Sequence, residues 1–113
     1  CRAGAAEERA SDPSSLCAFA AVRGDGHVVT WGPIRYGGDS SAVQAQLTNV
    51  QQIQATRSAF AAILGDGFVV SWGDAIHGGD NLAVQDQLNY VAQIQASRCS
   101  FAAILRNGSV VTW

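Results

Sequence analysis

Residues 60–73, FAAILGDGFVVSWG, decide the fold of this 113-residue chain. Two apolar runs, 60–64 and 68–72, flank a Gly-Asp-Gly turn at 65–67. Asp-Gly tolerates the positive φ angles of a tight hairpin, so the two runs are predicted to pair as antiparallel strands. Successive side chains on a strand point to opposite faces, and here both faces carry apolar groups. We therefore expect another layer to pack against each side of this sheet.

The same stretch recurs along the chain at a constant spacing of 41 residues. Residues 19–59 align with residues 60–100 without a gap, and 24 of the 41 aligned positions are identical. Phenylalanine and tryptophan mark each copy, at Phe19, Phe60 and Phe101 and at Trp31, Trp72 and Trp113. A unit of this size cannot bury two apolar faces alone, whereas stacked neighbours can. Because the units are composed of strands, their length favours a propeller blade over a helical solenoid.

Shorter signals complete the unit. Residues 53–55 and 94–96 predict a further short strand in the same sheet. The hairpin turn keeps its glycine while the preceding residue changes between Asp and Asn, as a turn with φ above zero requires. The segment 42–47 follows Gly-Gly-Asp and is predicted as a single helical turn capped by Asp39 or Ser40, or as a loop.

These observations define the expected organisation. The fold class is all-β, a partial β-propeller with about 2.4 blades of antiparallel strands. The repeats are divided at 16–57, 58–98 and a shorter 99–113, and residues 1–15 match no unit and are predicted to form a disordered tail or linker. We expect the chain to be a segment of a longer protein. Alone, it should have unpaired sheet faces and edges, which favour marginal stability, oligomers or aggregation.

Composition excludes several classes of partner. Charged residues make up 14% of the chain, the net charge is −2, and the seven basic residues are scattered arginines. No segment therefore predicts contact with a nucleic-acid backbone. No apolar run approaches the roughly 18 residues that span a bilayer. Residues 1–15 also lack the apolar core of a signal peptide, so a cytoplasmic or nuclear location is expected.

The cysteines do not indicate a metal or a disulfide. Cys17, Ser58 and Cys99 occupy one position of the repeat, which favours a small-residue packing site. Cys17 and Cys99 should lie two units apart, beyond the reach of a disulfide. Cys1 has no partner at a metal-ligand spacing.

The other reactive residue types favour structural roles. His27 and His77 have no acid and nucleophile placed to complete a triad. A Gly-Gly-Asp motif begins calcium-binding nonapeptides, but here it recurs every 41 residues and is interpreted as a turn. The tryptophans could form a ladder for ligand stacking, although one Trp per strand end favours the core. No catalytic residue, cofactor or metal site is predicted.

The variable stretch after each Trp-Gly is the candidate binding site. Its sequence changes from Pro-Ile-Arg-Tyr in one unit to Asp-Ala-Ile-His in the next. Loops on one rim of a propeller vary between blades and carry recognition. The candidate residues are Pro33, Ile34, Arg35, Tyr36, Asp74, Ala75, Ile76 and His77.

The order of these elements resembles a known family. A small-residue strand at 60–64, Asp66-Gly67, a strand ending in Trp72-Gly73 and a later Gly-Gly turn are similar to the RCC1-like repeat, of the RCC1/BLIP-II type of β-propeller. The resemblance implies a non-catalytic scaffold that binds protein partners and packs against further blades of the same parent chain. It also implies two alternatives, the substrate-recruiting repeats of a HERC-type ubiquitin ligase and a guanine-nucleotide exchange factor for a small GTPase.

Overall fold

The computed structural model describes residues 2–6 and 16–113, and in these residues the chain is mostly β-structure. Nine strands form three sheets of three strands each, and no sheet closes on itself. Sheet 1 contains β1 (Arg2–Ala6), β2 (Leu16–Val22) and β3 (Val28–Trp31). Sheet 2 contains β4 (Val50–Ala55), β5 (Ala59–Leu64) and β6 (Val69–Gly73). Sheet 3 contains β7 (Val91–Ala96), β8 (Phe101–Leu105) and β9 (Val110–Thr112).

Sheets 2 and 3 are antiparallel and share one register. Ile53 lies opposite Ala62 in sheet 2, and Ile94 lies opposite Ala103 in sheet 3, as the 41-residue spacing requires. The predicted antiparallel hairpins are confirmed in all three sheets. The strands β4 and β7, at the end of one predicted unit, pair with the hairpin of the next.

Sheet 1 differs at its first strand, because β1 runs parallel to β2. Residues 1–15 were predicted to form a disordered tail, but Arg2–Ala6 form this strand instead. Ala3 is 4% exposed and packs in the core. These small residues therefore pack against an apolar layer although their sequence lacks the alternating apolar pattern of a strand. The remainder of the predicted tail, residues 1 and 7–15, lies outside the described residues.

The three hairpin turns follow the sequence prediction closely. The glycine of each turn has a φ of 83°, 88° or 89° (Gly26, Gly67 and Gly108). The residue before it accepts a hydrogen bond through Oδ1 from the backbone N–H two positions later, at 2.9 to 3.1 Å (Asp25, Asp66 and Asn107). Asp and Asn both present this oxygen, which explains why they exchange at the site.

The connecting segments contain short 3-10 helices, at Ile34–Tyr36, Gln44–Gln46, Ala75–His77 and Leu82–Gln87. The helical turn predicted at 42–47 is therefore present, but its predicted cap is wrong. Val43 occupies the N-cap of Gln44–Gln46 and makes no side-chain cap. Asp39 Oδ1 instead accepts the Ser41 N–H at 2.9 Å, closing a turn upstream of the helix. The hydrogen bonds from Ser41 hold the pKa of Asp39 below its usual value.

Two apolar cores fill the space between adjacent sheets. On β5, Phe60 and Ala62 point into the core shared with sheet 1, whereas Ala59, Ala61 and Ile63 point into the core shared with sheet 3. The two cores match position by position across 41 residues. Matched pairs include Leu47 and Leu88, Val50 and Val91, Ile53 and Ile94, Phe60 and Phe101, and Val70 and Val111.

Sheet 2 is consequently buried on both faces, as its sequence predicts. Val69 and Val70 point to opposite faces of β6 and are 0% and 7% exposed. The equivalent residue pairs of the outer sheets are each buried on one side only, with Val29 44% exposed and Val110 60% exposed. Each sheet thus depends on a neighbour for the burial of an apolar face.

Trp72 and Trp113 each join their own sheet to the segment before it. Trp72 stacks on Phe60 with ring centroids 5.3 Å apart, and its Nε1 donates to the Gly37 carbonyl at 3.1 Å. Trp113 lies beside Phe101 with ring centroids 5.3 Å apart, tilted rather than stacked, and its Nε1 donates to the Gly78 carbonyl at 3.1 Å. Trp72 is 5% exposed, so here the core role predicted for the tryptophans is the one observed.

Within the described residues, no helix combines the length and apolar character needed to cross a bilayer.

Candidate binding surface at the turn end of the sheets

The sheet topology gathers two kinds of loop at one end of the molecule. Because β5 runs antiparallel to both β4 and β6, the end of β4, the start of β5 and the end of β6 lie at the same edge. This edge, which we call the turn end, carries the segments 33–36 and 74–77 and the strand connections 56–58 and 97–100. The hairpins at 23–27 and 65–68 lie at the opposite end.

The first candidate segment is an exposed turn with one partly buried anchor, Tyr36. Ile34 is 74% exposed at the start of the 3-10 helix, directly after Pro33. The Arg35 guanidinium lies over the Tyr36 ring, 5.1 Å from its centroid, which favours a cation–π contact. Tyr36 packs against the core between sheets 1 and 2, so the turn presents Ile34 and Arg35 from a fixed base.

The second candidate segment has a polar cap that the first lacks. Asp74 Oδ1 accepts the Ile76 N–H at 3.0 Å, and Oδ2 lies 3.0 Å from His77 Nδ1. The hydrogen bond from the Ile76 backbone, followed by that from His77, lowers the pKa of Asp74. Ala75 is exposed and Ile76 is 83% exposed. The structure thus places all eight candidate residues on two neighbouring turns at one end.

Contacts with residues of the neighbouring sheets hold the backbone of both turns in one conformation. A Cβ on Gly37, where φ is +87°, would lie 2.7 Å from Phe60 Cδ2, and Gly78 stands in the same relation to Phe101. The Trp72 indole donates a hydrogen bond to the Gly37 carbonyl, and Thr56 Oγ1 donates to the His77 carbonyl at 2.6 Å. These contacts fix the backbone under side chains that are themselves exposed.

An arginine pair at the same end was not predicted. Arg57 and Arg98 are adjacent, because the Arg57 N–H donates to the Arg98 carbonyl at 3.0 Å. Both line an open cleft of about 580 Å³, together with Ala3, Ala55, Thr56, Ala96 and Ser97. Among the described residues, neither arginine lies within ion-pair distance of an acidic side chain. Their 41-residue spacing places both arginines at one position of the repeat, and this spacing is the signal in the sequence that indicates the pair.

The other reactive residue types do not come together into a metal site within the described residues. The described residues contain no group of three or more His, Cys, Asp or Glu side chains that could hold a metal ion. The packing role predicted for the position of Cys17, Ser58 and Cys99 holds for Ser58, which is 5% exposed. It is wrong for Cys99, which is exposed. The side chain of Cys17 lies outside the described residues.

Comparison with protein-family models finds no match for this chain, and comparison with curated proteins finds no significant match.

Proposed function

We propose that this chain is an RCC1-like β-propeller segment that acts as a non-catalytic scaffold and binds protein partners at its turn end. Three sheets in a row, each with the same hairpin and each sharing an apolar core with the next, support a propeller-blade arrangement. The observation that carries the binding proposal is the exposure of Ile34 and Ile76 on turns whose backbone is fixed.

Fixed turns are favourable for recognition because little conformational entropy is lost when a partner binds. Exposed apolar side chains supply the burial that such contacts need, and interface anchors of this kind dominate binding energy. The residues around them differ between the two turns, with Arg35 beside Ile34 and Asp74 and His77 beside Ile76. These differences give each turn its own specificity.

The arginine pair suggests the chemistry of the partner. Two adjacent cations in an open cleft attract carboxylate or phosphate groups, which arginine binds in a bidentate geometry. A partner segment that places an apolar residue on the turns and an acidic residue in the cleft would use both features.

Selection of peptide ligands tests this proposal. The chain is immobilised and used to select from a displayed random peptide library, and the affinity of each enriched peptide is then measured by calorimetry. The double variant Ile34→Ser/Ile76→Ser should weaken binding at least about tenfold, since two anchors are lost. Phe68→Ser is the matched control, because Phe68 is 47% exposed at the opposite end.

Peptides that bind the double variant and the wild type equally would place the binding surface elsewhere. A library that yields no peptide dependent on the turn end would also count against the proposal.

A further inference from the structure

Sheet 1 has an outer face that no other sheet covers. The face consists of Phe19, Ala21, Val29 and Trp31, which lie opposite one another in pairs on β2 and β3. Val29 and Trp31 are 44% and 47% exposed, whereas the equivalent Val70 and Trp72 of sheet 2 are 7% and 5% exposed. We call this surface face 1. In sheet 2 the same positions are buried against sheet 1.

Sheet 3 has an uncovered face of the opposite kind. It consists of Ser100, Ala102, Ile104 and Val110, and we call it face 3. Val110 is 60% exposed, whereas the equivalent Val69 of sheet 2 is fully buried against sheet 3. Faces 1 and 3 are therefore the two halves of the interface that the chain already forms twice within itself.

We propose that face 3 of one copy binds face 1 of a second copy, head to tail, and reproduces the contact between adjacent sheets. Two observations favour a second copy as the occupant. The two internal interfaces show which side chains fit opposite each face, and a second copy offers the same residue types at those positions. None of the eight residues that define faces 1 and 3 is charged, so these residues bring no unpaired ion into the contact.

The contact would be incomplete compared with the internal one. Leu47, Val50 and Ile53 also fill the core between sheets 1 and 2, and they come from the connecting segment and the inner strand. A second copy does not supply these groups beside face 1, so the association should be weaker than the internal packing. A contact between two different surfaces leaves a free face at each end of the assembly. Further copies therefore add to an open chain, unless the two ends meet and close a ring.

This inference goes beyond partner binding at the turn end and does not depend on it. Val29→Glu blocks face 1 and leaves face 3 intact, whereas Val110→Glu blocks face 3 and leaves face 1 intact. Leu82→Glu is the control, since Leu82 is 78% exposed and lies on neither face. Circular dichroism of each variant verifies that its β-structure is retained.

Sedimentation velocity at several protein concentrations gives the readout. The wild type and Leu82→Glu should form concentration-dependent oligomers, and each face variant alone should sediment as a monomer. An equimolar mixture of the two face variants should form a species of twice the monomer mass, because each variant contributes its intact face.

Three results would overturn the inference. The first is a wild type that stays monomeric at every protein concentration up to about 100 μM, well above the micromolar dissociation constants of weak interfaces. A single face variant could assemble as the wild type does, which would indicate another surface. The mixture could remain monomeric although the wild type assembles, which would show that the two faces do not bind each other.

Discussion

At the residue scale, Gly37 is required by both its backbone angle and its surroundings. Its φ of +87° disfavours any side chain, and an added Cβ would lie 2.7 Å from the Phe60 ring. We predict that Gly37→Ala lowers the free energy of unfolding by about 1–3 kcal/mol, measured by urea denaturation. Gly24→Ala is the control, since a Cβ there meets no atom within 4 Å. A loss at Gly24 as large as that at Gly37 would contradict this explanation.

Ser71 carries an unsatisfied polar atom, since its buried Oγ has no hydrogen-bond partner. The equivalent Thr30 hydroxyl lies 2.9 Å from Ser40 Oγ, but Asn81 replaces that serine beside Ser71. We predict that Ser71→Ala raises the free energy of unfolding by up to about 1 kcal/mol, because an unpaired hydroxyl is removed from the core.

Thr30→Val provides the comparison, since it removes a hydroxyl that has a partner and keeps the side-chain volume. It should lower the free energy of unfolding by about 1 kcal/mol. Denaturation curves for both variants measure the difference. A destabilised Ser71→Ala protein would show that this hydroxyl has a partner after all.

At the element scale, the Trp72 indole connects β6 to the turn that precedes sheet 2. Trp72→Phe keeps an aromatic ring beside Phe60 but removes the donor to the Gly37 carbonyl. We predict a loss of about 1–2 kcal/mol in the free energy of unfolding, together with faster hydrogen exchange at residues 34–38.

Trp31→Phe is the matched control for this prediction. Trp31 also stacks on a phenylalanine, but it is 47% exposed and its indole makes no hydrogen bond within the described residues. Its replacement should change the free energy of unfolding by less than about 0.5 kcal/mol. Equal losses for the two variants would show that the indole donor has no role.

The cap of the second turn should depend on pH. The pKa of Asp74 is lowered from 3.8 in the folded state, so its contribution is fully present above 3.8 and is lost as pH falls through the lowered pKa. In Asp74→Asn the cap oxygen remains but does not titrate. We predict that the stability advantage of the wild type over this variant is constant above about pH 5 and shrinks in acid. Chemical denaturation at each pH measures it, and an advantage that grows in acid would contradict the assignment.

The sequence predicted the repeated elements well, because each rests on local chemistry. The turn at Asp66-Gly67 and the strands around it depend on φ preferences and alternation within a few residues. By contrast, β1 consists of small residues without a period, and its strand depends on pairing with β2 and on packing against β4 and β5. Asp39 does not cap the helical turn, because its carboxylate accepts the nearby Ser41 N–H.

The candidate site was only half predictable for a related reason. The variable turns at 33–36 and 74–77 were visible as the part of the unit that changes. The cleft beside Arg57 and Arg98 was hidden, because these residues are far apart in sequence and are brought together by the stacking of sheets. Arginines that recur at the repeat spacing should therefore be treated as neighbours.

At the scale of the whole molecule, each sheet is stabilised by the sheets that pack against it. Sheet 2 has neighbours on both faces, and sheets 1 and 3 have one each. The strands β2, β5 and β8 are all central in their own sheets. β5 and β8 are both flanked by antiparallel strands, so these two differ mainly in the number of neighbouring sheets, whereas β2 also has a parallel partner. Their relative stability therefore reports the contribution of stacking.

Native-state hydrogen exchange measures that stability residue by residue, and the double variant Val29→Glu/Val110→Glu excludes protection by self-association. We predict that the amides of β5 exchange most slowly, with opening free energies near that of global unfolding, and that those of β2 and β8 exchange faster. Equal protection of all three strands, or slower exchange in β2 or β8 than in β5, would show that stacking between sheets does not set their stability.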